Sequence, residues 1–222
     1  MLLCKRLTAF WRAGTDDAVT AIDDRSNLGN KSDQKKKLIQ DTARAVFMER
    51  GFKDVTMKDI AEACKISRGG LYLYYPGTKE LLLDVLRKES ADSDDTFKAA
   101  LEGGMAPSRI LMLFLREQKK ELMHPEQTLN LALYEYAFAG TEGDRAVIKK
   151  RHQQAIQIIE HLIKTGNETG EFDCENPHDA ATDIVLVIEG MKISSQTMGI
   201  SERKVDREIR YLMNGLLPVE ER

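Results

Sequence analysis

A chain of 222 residues, 42% hydrophobic and 31% charged, is long enough to bury a real core in one or two domains. Its formal net charge of −3 excludes a uniformly basic nucleic-acid binder. Three cysteines (Cys4, Cys64, Cys174) with neither metal nor disulfide spacing point to a reducing, cytoplasmic compartment, and no apolar run approaches the roughly 18 residues of a membrane span.

The charge is unevenly placed. Residues 31–88 hold 13 Lys/Arg against 8 Asp/Glu, a net of +5, which leaves the remainder at −8. A basic block joined to an acidic body implies that one part meets a polyanion and the other does not.

Residues 1–32 show no clear periodicity and are expected to form a mobile N-terminal extension, with a short amphipathic turn around Leu7, Phe10 and Trp11. From Ser32 onward the pattern is helical nearly everywhere, so the fold class is all-α. Ile39, Ala43, Val46 and Phe47 mark one face of a helix that ends at Gly51. Thr56, with Asp59 three residues on, caps a short helix over 57–63, and Val55 can staple to Ile60. Ser67 caps the next helix, and Thr78 a longer one from Lys79 to about Leu101.

Two short helices joined through Cys64, Lys65 and Ile66 give helix-turn-helix geometry, and residues 33–80 form a DNA-binding domain. Ile60, Ala61, Cys64, Ile66, Leu71 and Tyr75 close a small core. Arg68, Gly69, Tyr72 and Leu73 then fall on the opposite, outward face. Two glycines in a first helical turn cost about 1 kcal/mol each against alanine, which a close partner such as a duplex backbone would explain.

Residues 81–222 read as a helical regulatory and dimerisation domain. Its helices run over about 108–122, 126–139, 144–168, 177–198 and 202–216. The breaks fall at Gly103-Gly104, His124-Pro125, Gly140, Gly166–Gly170 and Gly199, and Asn176-Pro177 is a strong helix start. Met112, Leu115, Tyr134 and Phe138 are candidates for lining a ligand cavity; a plain core is the alternative. Glu135 and Glu189, in apolar stretches, would suit a cationic ligand or simply solvent. His124, His152, His161 and His178 share no metal spacing, and no cofactor motif is present. No phosphate loop, nucleophile elbow or nucleophile–base pair supports an enzyme.

The run AVFMERGFKDVTMKDIAEACKISRGGLYLYYPGTKELL, residues 45–82, resembles the TetR family of transcriptional regulators. The family pattern is an apolar helix ending F-x-x-x-G-F/Y, then T-x-x-x-I-A, a turn ending V/I-S, and G-x-L-Y-x-Y/H-F-x-x-K-E. Phe47, Gly51, Phe52, Thr56, Ile60, Ala61, Ser67, Gly69, Leu71, Tyr72, Lys79 and Glu80 stand where that pattern wants them, allowing for one insertion. Two positions depart from it. Lys65 stands where glycine is usual, so a left-handed lysine is expected. The stretch Tyr75-Pro76-Gly77-Thr78-Lys79 is one residue longer.

The resemblance implies a DNA-binding set. Thr56 and Lys58 would meet phosphates, Ser67 would open the recognition helix, and Arg68, Gly69 and Leu73 would face the major groove. Tyr72, Tyr74 and Lys79 would clamp the backbone; Lys35, Lys36 and Lys37 would lie near the flanks, or simply form a solvated helix start. Arg68 suits a guanine edge. TGEFD (169–173) and the helix ending IEGM (188–191) resemble the family's C-terminal half, whose last two helices pair across a two-fold axis. Ile184, Val187, Ile188, Met191, Ile209, Leu212, Met213 and Leu216 would form that interface; a helix central to the monomer is the other reading. A homodimeric repressor of a palindromic operator, released by a small-molecule effector, follows from the resemblance. A DNA-bound adaptor with a protein partner is the alternative.

Overall fold

The computed structural model describes the backbone of residues 24–218 and the side chains of 31–91 and 95–218. Residues 1–23, and with them the turn expected around Leu7, Phe10 and Trp11, lie outside the described residues. The described chain is all-α: nine α-helices, one 3-10 turn and no strand. In chain order these are α1 (Asp24–Arg50), α2 (Met57–Ala63), α3 (Arg68–Tyr72), α4 (Thr78–Glu102) and α5 (Pro107–Met123). After the 3-10 turn Pro125–Gln127 come α6 (Asn130–Ala139), α7 (Glu142–Thr169), α8 (Pro177–Thr197) and α9 (Glu202–Asn214). Helix α1 starts eight residues earlier than expected, since no proline interrupts 24–32.

The chain divides into two compact units. One holds the described residues up to Ser93 together with Leu131–Tyr136; the other holds Asp94–Asn130 and everything described from Ala137 onward. The division falls inside α4 because its first turns are built into the N-terminal core.

That core follows the helical stripe. Ile39, Ala43 and Phe47 on α1 are fully buried, with Ile60, Leu71, Leu81 and Leu82 from α2, α3 and α4. Each of these side chains except Ala43 contributes about 1.5–3 kcal/mol of burial. Helix α1 ends where expected, with Gly51 at φ +75°. This glycine is needed twice over: a Cβ here would also stand 2.5 Å from a carboxylate oxygen of Glu135.

In the C-terminal unit α8 is central and packs against α5, α7 and α9. Leu111, Leu115, Ile159, Ile163, Ile184, Ile188 and Met213 share its core. Gly166 does not break α7; it sits inside the helix, and Phe172, 3% exposed, lies on it. The break comes at Gly170, in the left-handed conformation. The loop after it ties three helices together. Glu171 accepts hydrogen bonds from the Ser108 backbone N–H (3.0 Å) and hydroxyl (2.5 Å) at the start of α5, and the Asp173 N–H donates to the Leu216 carbonyl at 2.9 Å. Burial would raise the Glu171 pKa, but the two Ser108 bonds and one from the Thr169 hydroxyl together hold its carboxyl below the ordinary value.

Candidate nucleic-acid interface

Helices α2 and α3 are set by their caps. The Thr56 hydroxyl accepts from the Asp59 backbone N–H at 3.3 Å, and the Asp59 carboxylate accepts the Thr56 N–H at 2.8 Å and the Thr56 hydroxyl, a reciprocal capping box. These bonds to Thr56, with help from Arg50, lower the Asp59 pKa to about 2. Arg50 also bonds the Asp54 carbonyl at 3.2 Å, fastening the end of α1 to the start of α2. Lys65, in the turn, has φ 57°, the left-handed lysine that the sequence calls for. Ser67 then accepts from the Gly70 N–H at 3.0 Å and opens α3.

With Leu71 fully buried and Tyr75 4% exposed, the opposite side of α3 turns outward. Arg68 and Gly69 are exposed, Tyr72 is 53% exposed and Leu73 85%. The fold asks nothing of Gly69's missing side chain: a Cβ there meets no atom within 4 Å. An outward row of Arg, Gly, Tyr and Leu on a rigidly capped helix is shaped for another surface.

The other expected contacts are placed less directly. Ser67 and Thr56 are exposed, but the Thr56 hydroxyl hydrogen already goes to Asp59, so this residue serves the cap. Lys58 lies 3.8 Å from Glu62 on the exposed face of α2. Lys79 is exposed at the start of α4. Tyr74 is half-buried, with Lys35 Nζ 6.0 Å from its ring centroid, and Lys36, its side chain 47% exposed, lies 3.1 Å from Asp84.

Two residues carry geometry that the sequence did not announce. The Glu135 carboxylate, read from sequence as a ligand contact or solvent group, instead accepts the backbone N–H groups of Phe52 (2.6 Å) and Lys53 (2.9 Å), and the Phe52 ring meets Tyr136 edge-on at 5.4 Å. All four belong to the N-terminal unit. Asp84 gathers Tyr75, Gln40, Lys36 and Arg87. Burial would raise its pKa, but the hydrogen bonds from Tyr75, Lys36 and Gln40 prevail and lower it. The only signal in sequence is a tyrosine at 75 where the resemblance has phenylalanine.

A model described as "Bacterial regulatory proteins, tetR family" matches residues 39–85, and one described as "Tetracyclin repressor-like, C-terminal domain" matches 110–206. The chain belongs to the TetR family. Its relatives include the uncharacterized HTH-type transcriptional regulator YfiR of Bacillus subtilis (strain 168), 27% identical over 65% of this chain and 71% of YfiR. A second is the HTH-type transcriptional repressor KstR of Mycolicibacterium smegmatis, 33% identical over 40% of this chain and 45% of KstR. The match to YuxN of Bacillus subtilis (strain 168), at 28% identity over 71% of this chain, spans 52% of that protein. A TetR transcription regulator from Haloarcula marismortui superposes with a TM-score of 0.70 at 21% identity, over 84% of this chain and all of that one. The reduced form of E. coli NemR gives 0.70 at 12% identity, over 83% and 100%. A Saccharomonospora viridis structure described as a transcriptional regulator in complex with choline gives 0.68 at 21% identity, over 84% and 99%. The family and these relatives are transcriptional regulators, not enzymes.

The TetR-like C-terminal unit corrects two readings. Ile184, Ile188, Met191, Met213 and Leu216 are at most 7% exposed, so these five are buried inside the chain itself and are not free for a partner, while Val187, Ile209 and Leu212 pack against them and are only partly buried. The stripe on α8 is wide because α8 touches three helices of its own unit. Phe138 is 81% exposed and so is no wall of an enclosed cavity. Met112 and Leu115 lie in or against the C-terminal core, whereas Tyr134 belongs to the segment counted with the N-terminal unit. Among the described residues no group of His, Cys, Asp and Glu could hold a metal ion, and no helix is long and apolar enough to cross a membrane.

Proposed function

We propose that the chain is a dimeric repressor that binds a palindromic operator through α3 and releases it when a small molecule binds the C-terminal unit. The observation that carries the reading is the outward Arg68–Gly69–Tyr72–Leu73 face, held by two caps and a left-handed turn. Arg68 reads a base edge, Tyr72 and Lys79 hold the backbone, and Gly69 lets the helix approach closely. Two such helices, related by a two-fold axis, reach successive major grooves about 34–36 Å apart.

The face left for a second subunit lies beside the buried stripe. Leu186 (54% exposed) and Ile193 (48%) stand seven residues apart on α8, with the open Gly190 between them, and Tyr211 on α9 is 66% exposed. An apolar row at this spacing pairs helices across a dyad. Repression is supported by the repressor KstR among the relatives, and a small-molecule effector by the choline held by the Saccharomonospora viridis protein. An effector acts by binding the released form better, with a coupling of about 1–3 kcal/mol.

The test is a footprint on the DNA upstream of the chain's own gene, across a salt series. Protection of two half-sites, weakening steeply with salt, is the expected result. Binding that ignores sequence would overturn operator reading, and protection of a single half-site would overturn the dimer.

A further inference from the structure

Four donors from three parts of the N-terminal unit converge on one carboxylate. The Tyr75 hydroxyl donates to Asp84 Oδ2 at 2.7 Å, Gln40 Nε2 donates to the same oxygen at 2.8 Å, and Lys36 Nζ lies 3.1 Å from it. Arg87 donates to Oδ1 at 2.7 Å. Lys36 and Gln40 are one turn apart on α1, Tyr75 follows α3, and Asp84 and Arg87 stand on α4. The Asp84 side chain is only 15% exposed.

Every neighbour is a donor, so an anion fits and a neutral amide does not: its NH₂ would have to face Arg87 or the Gln40 and Lys36 donors. Tyr75 is in turn fixed to the end of α3, its N–H donating to the Leu71 carbonyl at 3.1 Å. Its ring alone would fill the core, as a phenylalanine does in the family pattern; the hydroxyl adds the tie to Asp84. Two more pairs join α1 to α4 alongside, Asp41–Lys88 at 3.2 Å and Arg44–Glu89 at 2.7 Å.

We propose that Asp84 is a positioning residue for DNA binding, which holds α3 at its working angle on α1 and α4 through the Tyr75 hydroxyl without touching the duplex. The proposal rests on DNA binding through α3 and on nothing about repression or effector.

The probe is a duplex that the wild-type chain selects from a randomised pool; its affinity for that duplex tests the DNA-binding reading, and the ratio of variant to wild type tests the proposal. Tyr75→Phe, Asp84→Asn and the double variant are measured well below their melting temperatures, across a salt series. Each single variant should bind about tenfold more weakly, and the double variant no more weakly than either. The slope of log affinity against log salt should stay as in wild type, because no cationic side chain is removed. Multiplying losses, or wild-type affinity in folded Tyr75→Phe, would overturn the proposal. If Asp84→Asn does not fold, Tyr75→Phe alone decides.

Discussion

A methyl group added at Gly69 meets nothing within 4 Å. Inside the chain, Gly69→Ala is therefore a plain helix improvement, expected to stabilise the fold by up to about 1 kcal/mol. On the reading proposed above, the same methyl group faces the duplex and weakens DNA binding. Thermal melting and a DNA titration on one preparation check both signs; a variant that gains stability and keeps full affinity would place the duplex elsewhere. Gly69 was legible in sequence as a cost without an internal return, since helix propensity is a local property. Asp84 was not, because its partners come from positions 36, 40, 75 and 87 and only the folded chain assembles them.

At the scale of the element, Gly166 reverses the expectation for Gly69. A Cβ there would stand 2.1 Å from Cδ2 of the buried Phe172 ring. Gly166→Ala should lower stability by about 1–3 kcal/mol through overpacking, read as a fall in melting temperature. Sequence alone reads Gly69 as a helix-weakening glycine and Gly166 as part of a helix break; only the ring returning from the loop shows what Gly166 is for. The cap of α2 gives an acid-side prediction. The Asp59 pKa is lowered to about 2 from an ordinary 3.8, so its contribution is complete above about pH 4 and is lost as pH falls through about 2. A carboxyl NMR titration should place Asp59 near 2, and Asp59→Asn should flatten the acid limb of stability. The caps of α2 and α3 and the turn at Lys65 were readable because each depends on residues within four positions; the start of α1 and the place of Gly166 were not.

For the whole molecule, periodicity reveals that α8 is apolar but not which part faces the chain's own helices. The buried Ile184, Ile188 and Met191 and the exposed Leu186 and Ile193 are interleaved in one run, and only tertiary packing sorts them. Leu186→Glu with Ile193→Glu should leave the monomer folded and yield a monomer by analytical ultracentrifugation, with loss of affinity for a two-half-site duplex. A persistent dimer would move the interface off α8.

The N-terminal unit is assembled from two separate stretches of chain, because Leu131–Tyr136 belongs to it as fully as α1 does. It is therefore not a detachable module. A fragment cut after Ser93, or a chimera that grafts residues 24–93 onto a foreign regulatory domain, leaves behind the carboxylate that holds the Phe52 and Lys53 amides and the ring that meets Phe52. Such a graft should melt below the same unit in the parent chain, and swapping specificity between relatives calls for carrying both stretches across.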